Sequence, residues 1–243
     1  MTETKVRYGI LSAATIVPRF AKGMRLTSNG EVTAIAARSL SKAKETAWEL
    51  DIPNVYPDYA SLLESDEVDA VYIPLVNSLH YEYAEKALKA GKHAIVEKPF
   101  VLHAADAEKL FETASEKGLF ITEAIKTPHL PLYQKKNRSL IQRNTGGSAC
   151  LNVSTRVLFQ NGLTIYMDHA VIEIPDYWKA GEARIIAENG SEQLLSFPCP
   201  YEFRYELEHY NSCILSKECF STVNTPEMAM RYIRFCEDLY NSF

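Results

Sequence analysis

At 243 residues, 47% of them hydrophobic, the chain can bury one large core or two ordinary ones without staples, and two domains is the expectation. Its 26 basic and 31 acidic side chains leave a formal net charge of −5, which excludes a broad basic field for nucleic acid or an anionic membrane. A small-molecule substrate is the partner this balance implies.

The N-terminal stretch MTETKVRYGI lacks the basic segment, apolar core and cleavage site of a secretory signal, and no run is long enough to span a bilayer. Val6 to Leu11 is an apolar strand, followed by the turn Ser12-Ala13-Ala14 and a helix from Ile16 towards Met24. Val32 to Ala36 repeats the strand signal, and Ala43, Ala47 and Leu50 space a helix over Ser41 to Leu50. Val68 to Leu75, VDAVYIPL, is the strongest buried strand. Tyr81, Ala84, Ala87 and Leu88 then share a helix face that Gly91 ends, and Ala94 to Val96 is the next strand. Ala107, Leu110, Phe111 and Ala114 form the stripe of another helix, closed by Gly118 before a strand at Leu119 to Thr122. Short loops between such units predict an α/β class with a doubly wound, Rossmann-type parallel sheet over residues 1–124. Ligands then bind outside the carboxyl ends of the strands, where the loops Ser12 to Ile16, Leu75 to His80, Glu97 to Pro99 and Glu123 to Lys126 fall.

Two of these loops carry a cofactor reading of their own. Ser12-Ala13-Ala14-Thr15-Ile16-Val17 has the spacing of a G-x-G-x-x-G dinucleotide turn with Ser, Ala and Val in the glycine places, a pattern that a plain tight turn also satisfies. Small residues let the backbone approach a pyrophosphate, and Ser12 and Thr15 add hydroxyl donors. After the second strand, where a free ribose 2′-hydroxyl calls for an acid, stand Arg38 and Ser39, with Lys42 one turn on. Guanidinium and ammonium groups suit a 2′-phosphate, so NADP(H) is preferred, with NAD(H) as the alternative; solvated surface charges are the competing account.

The stretch KHAIVEKPF, Lys92 to Phe100, ends a buried strand in a charged pair, Glu97 and Lys98, that Pro99 holds extended. Together with Ser12 to Val17, Asn77 to His80, Glu123-Ala124 and Pro128 to Pro131, this E-K-P tripeptide resembles the Gfo/Idh/MocA oxidoreductases, closest to their dihydrodiol dehydrogenase-like branch, over about Val6 to Gln142. The resemblance implies hydride transfer between a nicotinamide and the hydroxyl or carbonyl carbon of a sugar, polyol or dihydrodiol-like substrate. It makes Lys98 the catalytic, substrate-orienting residue and Asn77 and His80 cofactor contacts, with helix capping and a surface position as the plain alternatives for those two. Glu97 is expected to orient the cofactor or Lys98, or else to form a structural ion pair, and His129 falls where the family lines its substrate pocket.

The second half, 125–243, is expected to be a smaller α+β domain with an open, mainly antiparallel sheet. The family's proton-transfer motif would register here on Gly146 to Leu151, placing Asn152, Ser154 and Arg156 where an acid, a glycine and a Tyr or His belong. The segments around Gly146 are also several tens of residues shorter than the family pattern. Either the protein is abbreviated, or the 243 residues omit stretches of a longer chain; the alternative function is then an NADP(H)-binding, non-catalytic regulator. Gln160-Asn161-Gly162 between Val157 to Phe159 and Leu163 to Tyr166 signals a hairpin, and Val171 to Ile174 and Ala183 to Ala187 add strands. Asp176-Tyr177-Trp178 is a loop, and Asp168-His169 point to opposite faces of a strand. Helices follow over Tyr201 to Leu215 and from the Thr225-Pro226-Glu227 cap through Leu239. The five cysteines (150, 199, 213, 219 and 236) form no C-x-x-C pair and predict reduced thiols, a cytoplasmic location and no metal site. A homo-oligomer through the second-domain sheet is what the resemblance implies.

Overall fold

The computed structural model describes residues 4–134 and 161–242. They form two compact units, one made of the chain up to Ile125 together with the stretch from Glu206 onward, the other of Lys126–Tyr205.

The first unit is built on a six-stranded parallel sheet of order β3-β2-β1-β4-β5-β6. Its strands are β1 (Val6–Leu11), β2 (Gly30–Ala36), β3 (Asn54–Tyr56), β4 (Ala70–Ile73), β5 (His93–Glu97) and β6 (Ile121–Ala124). Between them run α1 (Val17–Arg25), α2 (Leu40–Glu49), α3 (Tyr59–Leu63), α4 (His80–Lys89) and α5 (Ala104–Lys117). Alternate side chains serve opposite faces. Val71 and Ile73 of β4 and Ala94 and Val96 of β5 join the core cluster that holds Ala84, Ala87, Leu88, Leu110 and Ala114. Tyr72, between the first two, instead stacks on Phe20 of α1, with ring centres 3.8 Å apart.

Local chemistry sets the ends. The Ser39 hydroxyl caps α2 and the Asp58 carboxylate caps α3, while α5 stops at Gly118, whose φ of 64° a Cβ would strain. Pro74, which lacks an amide to donate, follows β4, so the strand over Val68 to Leu75 is shorter than its apolar run. The strand predicted at Leu119 to Thr122 begins two residues later, because the Leu119 amide still bonds to Ala114 of α5. Both β3 and α3 were absent from the sequence-based expectation.

Two further helices, α7 (Phe203–Leu215) and α8 (Pro226–Asn241), end the chain. The Cys219 carbonyl accepts the Ile121 amide and so continues the outer edge of β6. Ile233 enters the main core, and Glu237 accepts the Ala104 amide at the start of α5.

The second unit holds the short helix α6 (Pro131–Gln134) and a four-stranded antiparallel sheet. Its strands β7 (Gly162–Met167), β8 (Ala170–Pro175), β9 (Glu182–Ala187) and β10 (Glu192–Ser196) lie in the order β10-β9-β8-β7. Leu132, Ile172, Ile174, Ala180 and Ala183 form its core. The hairpin arm Val157 to Phe159, the Gly146 to Leu151 segment and Asn152, Ser154 and Arg156 lie outside the described residues. Asp168 and His169 are not strand neighbours: Met167 pairs with Ala170, so the two make a hairpin turn. The fold is thus α/β, with a Rossmann-type doubly wound sheet and a smaller, mainly antiparallel sheet. No helix of the described residues is long and apolar enough to cross a membrane.

Candidate functional site

The loops after β1, β2 and β4 line one cleft of about 440 Å³ in the first unit. Ser12, Ala13 and Ala14 form one wall, Ala37, Arg38, Ser39 and Lys42 a second, and Tyr59, Leu75, Val76 and Leu79 an apolar third. Ser12 has φ 151°, a region that favours glycine, at the place of the first glycine of the fingerprint. The Val17 amide bonds back to the Ala14 carbonyl, closing the turn ahead of α1. No side chain caps α1 and no acid stands in its first turn, while the Val17 and Arg19 amides bond back to the Ala14 and Ile16 carbonyls and Pro18 has no amide to donate, so what the helix start offers the Ser12–Ile16 turn is the positive end of its dipole. Thr15 is exposed and Ile16 is the N-cap residue.

The basic wall is partly engaged. The Ser39 hydroxyl accepts the Lys42 amide at 3.4 Å and lies 2.9 Å from the Ser41 hydroxyl. The Lys42 ammonium donates to Glu45 at 2.9 Å, and that carboxylate raises the ammonium's pKa. The pair is exposed and therefore weak, leaving Lys42 able to turn towards a stronger anion. Arg38 is exposed at the lip between this cleft and a neighbouring one lined by Tyr59, Tyr83 and Lys86.

Lys98 leaves the end of β5 exposed, joined to Pro99 by a cis peptide bond. Glu97 beside it accepts the Tyr72 hydroxyl at 2.6 Å and the Lys98 amide at 3.2 Å, so its partners are a phenol and a main-chain amide. Burial, and then the Glu97 carboxylate, push the Tyr72 phenol well above its ordinary value. His80 is only 1% exposed, with Nδ1 2.8 Å from the Pro99 carbonyl and Nε2 3.0 Å from the Leu75 carbonyl. Its ring is a clasp between the loops after β4 and β5. Asn77 is exposed, and neither its own short turn (Asn77–Leu79) nor α4 has a side-chain cap. His129 lies in the second unit, buried in the turn Thr127–His129.

One group near Lys98 belongs to the resemblance and to a crevice loop but was given no role from the sequence. Glu123 in β6 is 7% exposed, and its Oε1 accepts the Phe100 amide at 2.8 Å. The signal for a role was a lone acid in an apolar strand, since charges are rarely buried without a partner.

Residues 6–124 match the model of the Gfo/Idh/MocA oxidoreductases, described as an oxidoreductase family with an NAD-binding Rossmann fold. The chain is 39% identical over 131 residues to a dTDP-3,4-didehydro-2,6-dideoxy-α-D-glucose 3-reductase of Actinomadura kijaniata, covering 54% of this chain and 39% of the relative. It is 36% identical over 143 residues to the trans-1,2-dihydrobenzene-1,2-diol dehydrogenase of Sus scrofa, covering 58% and 43%. These matches thus span less than half the length of those relatives. Among solved structures, a 3-ketoreductase from Actinomadura kijaniata in complex with TDP-benzene and NADP superimposes with a TM-score of 0.79 at 21% identity, covering 94% of each chain. At that identity the likeness concerns the fold. Residues 6–124 thus belong to the Gfo/Idh/MocA oxidoreductase family.

Proposed function

We propose that the protein is an NADP(H)-dependent oxidoreductase that moves a hydride between a nicotinamide and the hydroxyl or carbonyl carbon of a sugar, polyol or dihydrodiol-like substrate. The observation that carries this reading is the single cleft shared by the Ser12–Ala14 turn and the Arg38, Ser39 and Lys42 cluster. The acid-free start of α1 behind a turn of small residues suits a pyrophosphate, the basic cluster suits a 2′-phosphate, and Leu75, Val76 and Leu79 offer an apolar wall to an adenine. The residues present therefore fit a phosphorylated dinucleotide. The relatives named above are a sugar reductase and a dihydrodiol dehydrogenase.

The cofactor, when bound, supplies or accepts the hydride. The chain's own residues bind and orient. Ser12, Ala14, Thr15 and Ile16 offer the turn to the phosphates, and Asn77, with a side chain not used as a cap, faces the cofactor from the loop after β4. His80 acts on that loop through the Leu75 and Pro99 carbonyls. Lys98 donates to the reacting oxygen and stabilises negative charge there, Glu97 steadies its main chain, and His129 contributes to substrate binding.

The test is fluorescence titration of the full chain with NADPH and NADH. NADPH is expected to bind more tightly. Arg38→Ala should weaken NADPH roughly 10- to 100-fold, as loss of a charge-assisted phosphate contact does, and leave NADH nearly unchanged. Equal losses for both cofactors would reject the 2′-phosphate assignment, and no binding of either would reject the oxidoreductase reading.

A further inference from the structure

Phe100 follows Lys98 by two residues, across the cis Lys98–Pro99 bond, and its amide donates to Glu123 at 2.8 Å. Glu123 is paired with Val96 in the β5–β6 register, level with the base of the turn that carries Lys98. Its main chain cannot drift: the Glu123 carbonyl accepts the Tyr210 hydroxyl at 3.1 Å and the Asn224 side-chain amide at 3.2 Å. The carboxyl is the part that can respond. Of the ionisable groups around it, Glu97 and Lys98 in the turn act on the carboxyl itself, Tyr210 of α7 bonds the main-chain carbonyl, and Tyr72, His80 and Glu206 stand one contact further off, on Glu97, the Pro99 carbonyl and Tyr210.

We propose that Glu123 is the positioning residue for Lys98: through the Phe100 amide it anchors the turn that carries the ammonium, and one proton at its carboxyl resets how that turn is held. When ionised, it accepts the amide in a charge-assisted bond and adds a counter-charge near Lys98; when protonated, it gives a weaker acceptor and no counter-charge. Burial pushes this carboxyl up to about 7 against the opposing Phe100 amide, with Glu97 adding to the rise and Lys98 opposing it, so the exchange falls at neutrality. The catalytic meaning rests on the role given to Lys98 above, while the anchoring itself does not.

Amide NMR of the full chain between about pH 5 and about pH 9 tests it, since one carboxyl titrates over about two units. In the wild type the Phe100 and Lys98 amide resonances should move together, with a midpoint near 7. Glu123→Gln keeps an acceptor, so the Phe100 amide should stay protected from exchange while the pH response disappears. Glu123→Ala should speed its exchange about tenfold or more and shift Lys98, as loss of a buried hydrogen bond does. A titration that persists in Glu123→Gln would assign the response to another group and overturn the proposal, as would unchanged resonances in the alanine variant. Should the alanine variant not fold, the glutamine comparison alone decides. NADPH titration of the same proteins separates the two readings: binding without the amide response removes only the role of Glu123, and the response without binding removes only the dinucleotide assignment.

Discussion

Glu123 carries a stability cost that depends on pH. Burial raises its carboxyl from 4.5 to about 7, so the folded protein holds this proton more tightly than the unfolded chain does. The contribution is fully present below the unfolded value and is lost as pH rises through the folded one. At about 1.4 kcal/mol per unit this amounts to at most about 3 kcal/mol. Relative to the wild type, Glu123→Gln should therefore gain up to about 3 kcal/mol in urea denaturation between about pH 4 and about pH 8. A difference that stays flat over that range would show that the carboxyl is not raised. Arg38, Ser39 and Lys42 could be read from the sequence because they follow a strand end by fixed spacing. Glu123 and His80 could not be read that way. Both act on backbone groups that only the folded chain brings near, Phe100 for the one and Leu75 and Pro99 for the other.

Elements with long apolar runs or full helical stripes were legible: β1, β4, β5, α4 and α5 all coincide with the expected segments to within a few residues. The ones that escaped are short or exposed. β3 has three half-buried residues and α3 only five, too few for a period to show. β10 is largely exposed, with Leu194 at 64%, and its side chains give no clean alternation. At the other extreme, the Thr225-Pro226-Glu227 signature of α8 was specific. The Thr225 hydroxyl accepts the Met228 amide at 3.4 Å with Pro226 in the first turn. Thr225→Ala should lower the stability of the first unit by about 1 kcal/mol, while Thr225→Ser should retain most of it. Chemical denaturation followed by a probe in the first unit would decide, and equal stabilities of the two variants would show that the cap contributes nothing.

Across the whole molecule, the segment that matches the family model and the segment that folds as one unit differ. The family match ends at residue 124, yet the first unit also includes everything from Glu206. Tyr210, Asn224 and Cys219 hold β6 by its carbonyls and amides, Ile233 fills the core, and Glu237 serves the start of α5. A polypeptide trimmed to residues 1–124 would leave the outer edge of β6 unpaired and part of the core open. Such an edge invites association. Size-exclusion chromatography should show the trimmed chain aggregated and the full chain discrete; a discrete, folded, trimmed chain would refute this account.

The first unit is thus written in two stretches of the gene, separated by the whole of the Lys126–Tyr205 unit. On a ribosome, the six parallel strands emerge long before the helices that complete them. At roughly 5–20 residues per second, the 80 residues from Lys126 to Tyr205 alone take about 4–16 seconds to make. During that interval β6 has β5 on one side but lacks Tyr210, Cys219 and Asn224, while the next unit is already being made. The nucleotide-binding half, first to be translated, is then last to mature, and the nascent chain is most exposed to chaperones and to mispairing in that gap.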